Sequence, residues 1–323
     1  MRLLHHQLIG LNTLIIMEII KEKELKLPEE IKVDEVLNLL GRKQKKNRKE
    51  FKKYLIAPDL VRDIYVEMPS GIPDLYDFKG HNFSALQHFI VPKNNGFRGY
   101  NWDEDESLGI REEIGDIIMS IFSINVKYDP TVEEYGFKPE IMKKSPMNEL
   151  INKRKKEIDL DDFTFPTAAE VGGYYGDKVA KNKKFSIITR VKAAGFALHF
   201  VMDACCAHHV LGYLLKGHTD WEKNLELNWQ SIFGNLKDQK RINEKLEEIA
   251  NKVIEYFNEK PELSKATSVK EVIEKNAKFI QNWLNEDSNK ELALKGIITR
   301  KQTKKICIRA IASCIVALSI MFK

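Results

Sequence analysis

Apolar residues recur at helical spacing along most of this chain, and the interruptions fall where turn-forming residues gather. Residues 3–23 predict a first helix whose Leu, Ile and Met side chains fill a broad face. A charged stretch follows, and Lys45 to Leu55 predicts a second helix that stops before Pro58. The run from Met68 to Asp74 carries two prolines and a glycine, which helices rarely tolerate, and Pro92 to Gly96 predicts another loop. Gly109 to Val126 reads as an apolar helix, Met147 to Ile158 as a charged amphipathic one, and Asp161 to Pro166 as extended chain or loop. From Ala168 to Leu215 the pattern is helical again, and from Ala193 onward it is strongly apolar except for His and Asp residues. Residues 236–258, 268–285 and 301–322 predict three further helices. There is no internal repeat and no low-complexity linker, so one all-α domain over residues 1–323 is the simplest expectation.

Composition narrows this picture without redirecting it. Among 323 residues, 43% are hydrophobic and 31% charged, enough for a sizeable core and a solvated surface. The net charge of +5 is modest. It is compatible with contact to anionic lipid headgroups or nucleic acid, but an ordinary surface gives the same value. The densest basic run, Gly41 to Lys53, holds one aromatic residue and reads as a solvated helix face or linker. Four cysteines make no C-x-x-C pair, which argues against a disulfide scaffold or a cysteine-based zinc finger. The N-terminal apolar stretch contains Asn12 and Glu18 and has no small-residue cleavage site. The sequence leaves the location open: cytoplasmic by the absence of a clear signal peptide, secreted if the start is incomplete. The uncharged run from Ala310 to Phe322 is too short to span a bilayer, so it predicts a buried core helix and no transmembrane segment.

The chemistry sits in the histidines. Four of the eight, His199, His208, His209 and His218, lie within twenty residues. His199 and Asp203 are four apart, on one helix face among apolar flanks, and a buried carboxylate is costly unless paired or bound to a metal. A His–Asp hydrogen bond within one helix would explain that pair alone. However, His218 and Glu222 repeat the spacing on the next predicted helix, across a short Gly-flanked loop. Two such pairs favour a metal site. Imidazole and carboxylate donors suit zinc first, with manganese and iron sharing the ligand type. Continuing one helix at about 100° per residue turns His209 away from the Asp203 face, so His209 is expected to join His218 and Glu222 at a second metal. Asp74 and His88 are upstream candidates for the first, whereas His5 and His6 read by default as a frayed helix start.

This constellation resembles the bacterial zinc-dependent phospholipase C family, whose fold is shared by single-strand zinc nucleases. The resemblance rests on His199, Asp203 and His209 as a His-x-x-x-Asp-x-x-x-x-x-His run, followed by His218 and Glu222 as His-x-x-x-Glu. It also rests on Asp74 fourteen residues before His88-Phe89, which leads into the Pro92 to Gly96 loop. The resemblance implies a multi-helix bundle with up to three zinc ions. Asp74, His88, His199 and Asp203 would hold the first, and His209, His218 and Glu222 the second. Asp203 would bridge to a third, bound also by His6 or its neighbour His5. It implies that residues 97–166 contain an insertion of about sixty residues without family counterpart. The chain departs from the family in having no Trp before His6, Ala207 where a Pro is common, and Leu75 and Ala85 where headgroup-pocket aromatics stand.

The resemblance implies a phosphodiester hydrolase acting on phospholipid, with peripheral membrane-surface contact and Asp74 as ligand and general base. Nucleic acid is the alternative substrate, with Tyr174, Tyr175 and Trp221 as the stacking candidates in sequence. A rival from another class is a non-catalytic helical protein whose histidines are structural or bind a metal without turnover.

Overall fold

A computed structural model of the chain describes residues 3–55, 86–101, 104–105, 137–154, 164–214, 216–233, 239–286 and 288–323. The expected helix from Gly109 to Val126, the turn from Met68 to Asp74, and Asp74 itself lie outside these residues. Within them are thirteen α-helices and one two-stranded sheet, an all-α fold.

Three helices open the chain: α1 (Leu3–Glu22), α2 (Val33–Leu40) and α3 (Lys45–Leu55). The expected loop at Pro92 to Gly96 is instead the tip of a hairpin. Strand β1 (Val91–Lys93) pairs antiparallel with β2 (Gly96–Arg98), placing Val91 opposite Arg98. Gly96 turns the chain at a φ of 134°, a conformation open to glycine. Two short helices follow, α4 (Pro139–Met142) and α5 (Pro146–Arg154). They belong to the stretch expected as an insertion, yet Phe137, Ile141 and Met142 are buried in the same core as the rest.

The segment expected to be helical from 168 to 215 is divided, and each division has a local cause. Helix α6 (Ala168–Gly173) starts at a capping box, where the Thr167 hydroxyl accepts from Glu170 N and the Glu170 carboxylate accepts from Thr167 N. It runs into a π-helical stretch, Tyr174–Ala180. Ser186 then caps α7 (Ile187–Asp203), which is buried without interruption from Ala193 to Asp203. A helix apolar on every side belongs at the centre. It packs against α3, α6, the π-helical stretch, and the later helices α11 (Val269–Leu284) and α13 (Arg300–Phe322).

After α7, the chain makes a short turn into α8 (Ala207–Leu211) and then reaches α9 (His218–Phe233). Glycines bound the connection, Gly212 at φ 81° and Gly217 at φ 76°. At Gly217 a side chain would also meet the Leu294 carbonyl oxygen at 2.4 Å. The fold is completed by α10 (Gln239–Glu259), α11, α12 (Asn289–Leu294) and α13. Helix α13 is long and apolar enough to cross a membrane by length and composition, but 89% of its apolar window is buried inside the chain. It touches α1, α2, α7, α9, α10 and α11.

Candidate metal centre

The end of α7 determines the centre. Asp203 is its last residue, and Ala204 N continues the helical pattern by donating to Phe200 O. Cys206 then adopts an extended conformation, φ −91° and ψ 129°, and starts α8. This break reverses the direction expected for His209. Instead of turning away, its Nδ1 lies 3.6 Å from Asp203 Oδ1. His209 therefore faces the first group as well as the second, a correction to the unbroken-helix expectation.

Asp203 is fully buried and stands among four imidazoles. His88 Nδ1 is 2.7 Å from Oδ2 and His199 Nε2 is 2.9 Å from the same oxygen. His6 Nε2 is 3.1 Å from Oδ1. Each imidazole comes from a different element: His6 from α1, His88 from the turn before β1, His199 from α7 and His209 from α8. Backbone bonds fix the turn, since Ile90 N donates to His209 O and Ala168 N donates to Phe89 O. His199 is oriented from behind by α3, whose Leu55 carbonyl lies 2.9 Å from Nδ1. His6 Nδ1 lies 2.6 Å from the same nitrogen; with its proton on Nδ1, facing the carbonyl, His199 would have Nε2 free to ligate a metal.

A second group lies alongside. His218 Nε2 is 3.0 Å from Glu222 Oε1, and Cys206 Sγ is 3.9 Å from the same nitrogen. The backbone again sets the imidazole, with the Leu214 carbonyl 3.1 Å from His218 Nδ1. Leu214 is itself held by buried Asp105, whose Oδ2 accepts from Leu214 N at 2.8 Å and from Tyr100 Oη at 3.0 Å. His208 does not enter either group. Its Nε2 donates to the Lys216 carbonyl at 3.0 Å, and its ring stacks on His218 with centroids 4.9 Å apart. Of the two adjacent histidines, His209 is thus the one aimed at the donors.

Among the described residues three sets result, the donor atoms of each lying within 4.8 Å of one another: His6, His199 and Asp203; His88, Asp203 and His209; and Cys206, His209, His218 and Glu222. These buried clusters could hold metal ions. Their spacing fits. Donors bound to one zinc at about 2.0–2.3 Å lie roughly 3.3–3.6 Å apart in a tetrahedral arrangement. The His209–Asp203 separation of 3.6 Å is too long for a hydrogen bond, leaving His209 Nδ1 buried without one, but it suits two donors sharing an ion.

The electrostatics follow from burial. Burial alone would raise the Asp203 pKa, but the amino-terminal charge first, and then any protonated imidazole beside it, holds the carboxylate well below its ordinary range. Burial pushes His6 and His209 well below the usual imidazole value, so both rings are neutral, the form that ligates. His218 behaves oppositely. Burial disfavours its charge, yet the Glu222 carboxylate prevails and raises it to about 10.

Of the expected residues, His6, His88, His199, Asp203, His209, His218 and Glu222 are brought together; Asp74 and the His5 side chain lie outside the described residues. Cys206 was not expected. The signal was present as Cys206-Ala-His-His209, a C-x-x-H spacing that a search for paired cysteines passes over. The stacking candidates fare differently, since Tyr175 and Trp221 are fully buried and Tyr174 is tied to the Ile141 carbonyl at 2.6 Å. In comparisons with known proteins, no family model, curated protein or solved structure matches the chain.

Proposed function

We propose that this chain is a zinc-dependent phosphodiester hydrolase, phospholipase C-like in its chemistry, with two to three metal ions in the buried cluster. The observation that carries this reading is the sharing of donors. Among the described residues Asp203 belongs to two of the three sets and His209 to two, which supports ions held as neighbours that share ligands. Zinc held there would polarise a phosphoryl oxygen and acidify water, the usual contribution of clustered metals to phosphate-ester hydrolysis.

The chain's own residues supply the remainder. Asp203 provides one carboxylate oxygen to His6 and the other to His88 and His199, so it holds the donor sets in register. The Leu55 and Leu214 carbonyls orient the His199 and His218 rings through Nδ1. Neutral His6 and His209 add no charge that would repel a cation. The more open edge of the cluster is formed by His218 and His88, with side chains 13% and 8% exposed. A phosphodiester would approach on the His88 side of this edge. By the family resemblance, Asp74 would add a carboxylate ligand and serve as general base. The burial of Tyr175 and Trp221 removes two base-stacking candidates, which favours phospholipid over single-stranded nucleic acid.

The test is metal analysis of the purified chain, followed by hydrolysis assays on phosphatidylcholine and single-stranded DNA. Stoichiometric zinc with release of phosphocholine is the expected result. DNA cleavage alone would transfer the reading to a nuclease. Zinc without turnover of either, or of a simple activated phosphodiester, would sink the enzymatic reading and leave a metal-binding helical protein.

A further inference from the structure

We propose that Cys206 is a thiolate ligand, the fourth protein donor of the set it forms with His209, His218 and Glu222. The proposal rests on the metal-site reading above, and it adds a residue that the phospholipase resemblance does not supply.

The two adjacent cysteines take opposite roles because the chain changes conformation between them. Cys205 lies one turn beyond Val201, and its Sγ points back to the Val201 carbonyl at 3.9 Å. Cys206 sits at the extended N-cap of α8, where its Sγ comes to 3.9 Å from His218 Nε2. That nitrogen also lies 3.0 Å from Glu222 Oε1. Sulfur, nitrogen and oxygen thus converge from α8 and α9 on one point, with His209 on the same short helix completing the set. Sulfur at about 2.3 Å and nitrogen at about 2.0–2.1 Å from one zinc are separated by roughly 3.6 Å. The observed sulfur–nitrogen distance needs only a few tenths of an ångström to reach that value.

A fourth protein donor changes what the set does. Zinc sites with four protein ligands are closed and structural, whereas catalytic sites keep a position for water or substrate. With Cys206 bound, the ion between α8 and α9 locks those helices together. The open coordination positions then belong to the sets around Asp203, where His6, His88 and His199 stand. A thiolate also biases the set towards zinc over magnesium, calcium or manganese.

Cobalt(II) loading of the metal-stripped full chain tests this. Thiolate ligation is expected to give an intense near-ultraviolet sulfur-to-cobalt charge-transfer band. The band should vanish in Cys206→Ser and persist in Cys205→Ser. In case Cys206→Ser fails to fold, zinc-edge X-ray absorption of the unaltered protein is the second measurement, with a sulfur scatterer at about 2.3 Å expected. Cobalt or zinc bound with no sulfur signature would overturn the proposal while leaving the hydrolase reading intact. A sulfur signature in a protein that hydrolyses no phosphodiester would uphold Cys206 and remove the hydrolase reading. A chain that binds neither metal overturns both.

Discussion

His209 Nδ1 lies 3.6 Å from Asp203 Oδ1 although six positions of chain separate them, because α7 stops at the aspartate and α8 begins at a new angle. The carboxylate therefore links imidazoles from four elements. Asp203→Asn keeps the shape but removes the charge that two donor sets share. Zinc stoichiometry is expected to fall below that of the unaltered chain. Affinity at the remaining sites should fall by more than about 100-fold, the upper end of what loss of an outer-shell partner costs. Competition titration with a chromophoric chelator measures both, and unchanged stoichiometry would remove Asp203 from the ligand set.

The buried histidines give the metal-free protein a stability optimum. Burial lowers His6 and His209, and burial with His218 nearby lowers His208 to about 3. Below pH 6.5 the unfolded chain takes up protons at these positions that the native chain refuses, so stability falls with pH. Each group contributes a slope of about 1.4 kcal/mol per pH unit. His218 acts in the other direction. Its folded pKa of about 10 means the pair with Glu222 contributes fully below pH 6.5 and is lost as pH rises through 10. Thermal melts in chelator should peak near pH 6.5. Zinc should offset the alkaline fall by displacing the His218 proton, since its affinity rises with pH; a melt curve in chelator flat from pH 4.5 to 9 would contradict both slopes.

Gly195 decides how closely α3 approaches α7. A methyl group there would stand 2.8 Å from the Phe51 carbonyl oxygen and 2.9 Å from Tyr54 Cβ. One turn later, Leu55 O orients His199. Gly195→Ala is expected to destabilise the chain by about 1–3 kcal/mol and to weaken zinc binding at the same time. Chemical denaturation and zinc titration of the variant read the two effects separately. Lost stability with unchanged affinity would show that His199 does not depend on α3 for its orientation.

Asn276 on α11 ties the far side of the centre. Its Oδ1 accepts from buried Arg309 Nε and from Ser313 Oγ, each at 2.7 Å, and its Nδ2 donates to Val201 O on α7. Asn276→Ala deprives a buried guanidinium of an acceptor and should cost about 2–3 kcal/mol by denaturant unfolding. Arg309 also stacks over Phe279 and Tyr256, which makes Asn276→Ala more informative than removal of the arginine itself. A change within 0.5 kcal/mol would show that the network is solvated in the native state.

The parts of this architecture that depend on local pattern could be read from the sequence. The helices over 3–22, 45–55, 269–284 and 300–322 follow from apolar spacing and from stops at proline, glycine or polar runs. The pairing of His199 with Asp203 and of His218 with Glu222 follows from the four-residue helical repeat. What periodicity could not show was the break after Asp203. Cys205, Cys206 and Ala207 are apolar and continue the pattern, whereas the backbone leaves the helix at Cys206. Missing that break concealed both the approach of His209 to Asp203 and the presence of Cys206. The hairpin at Val91 was likewise read as loop, because two strands of three residues carry too few positions to show alternation. Neither α2 nor α12 was expected; each is eight residues or fewer and holds a few apolar positions against a charged background.

Helix α13 follows every other element in sequence, yet it touches α1, α2, α7, α9, α10 and α11. The ribosome therefore finishes the donor residues on α7, α8 and α9 before their central support exists. During synthesis these helices would have their α13-facing sides uncovered, with Cys205 and Cys206 exposed to oxidants or stray metal ions. Core closure thus waits for α13 to emerge, and nascent-chain proteolysis should show protection of the donor segment arriving in one late step.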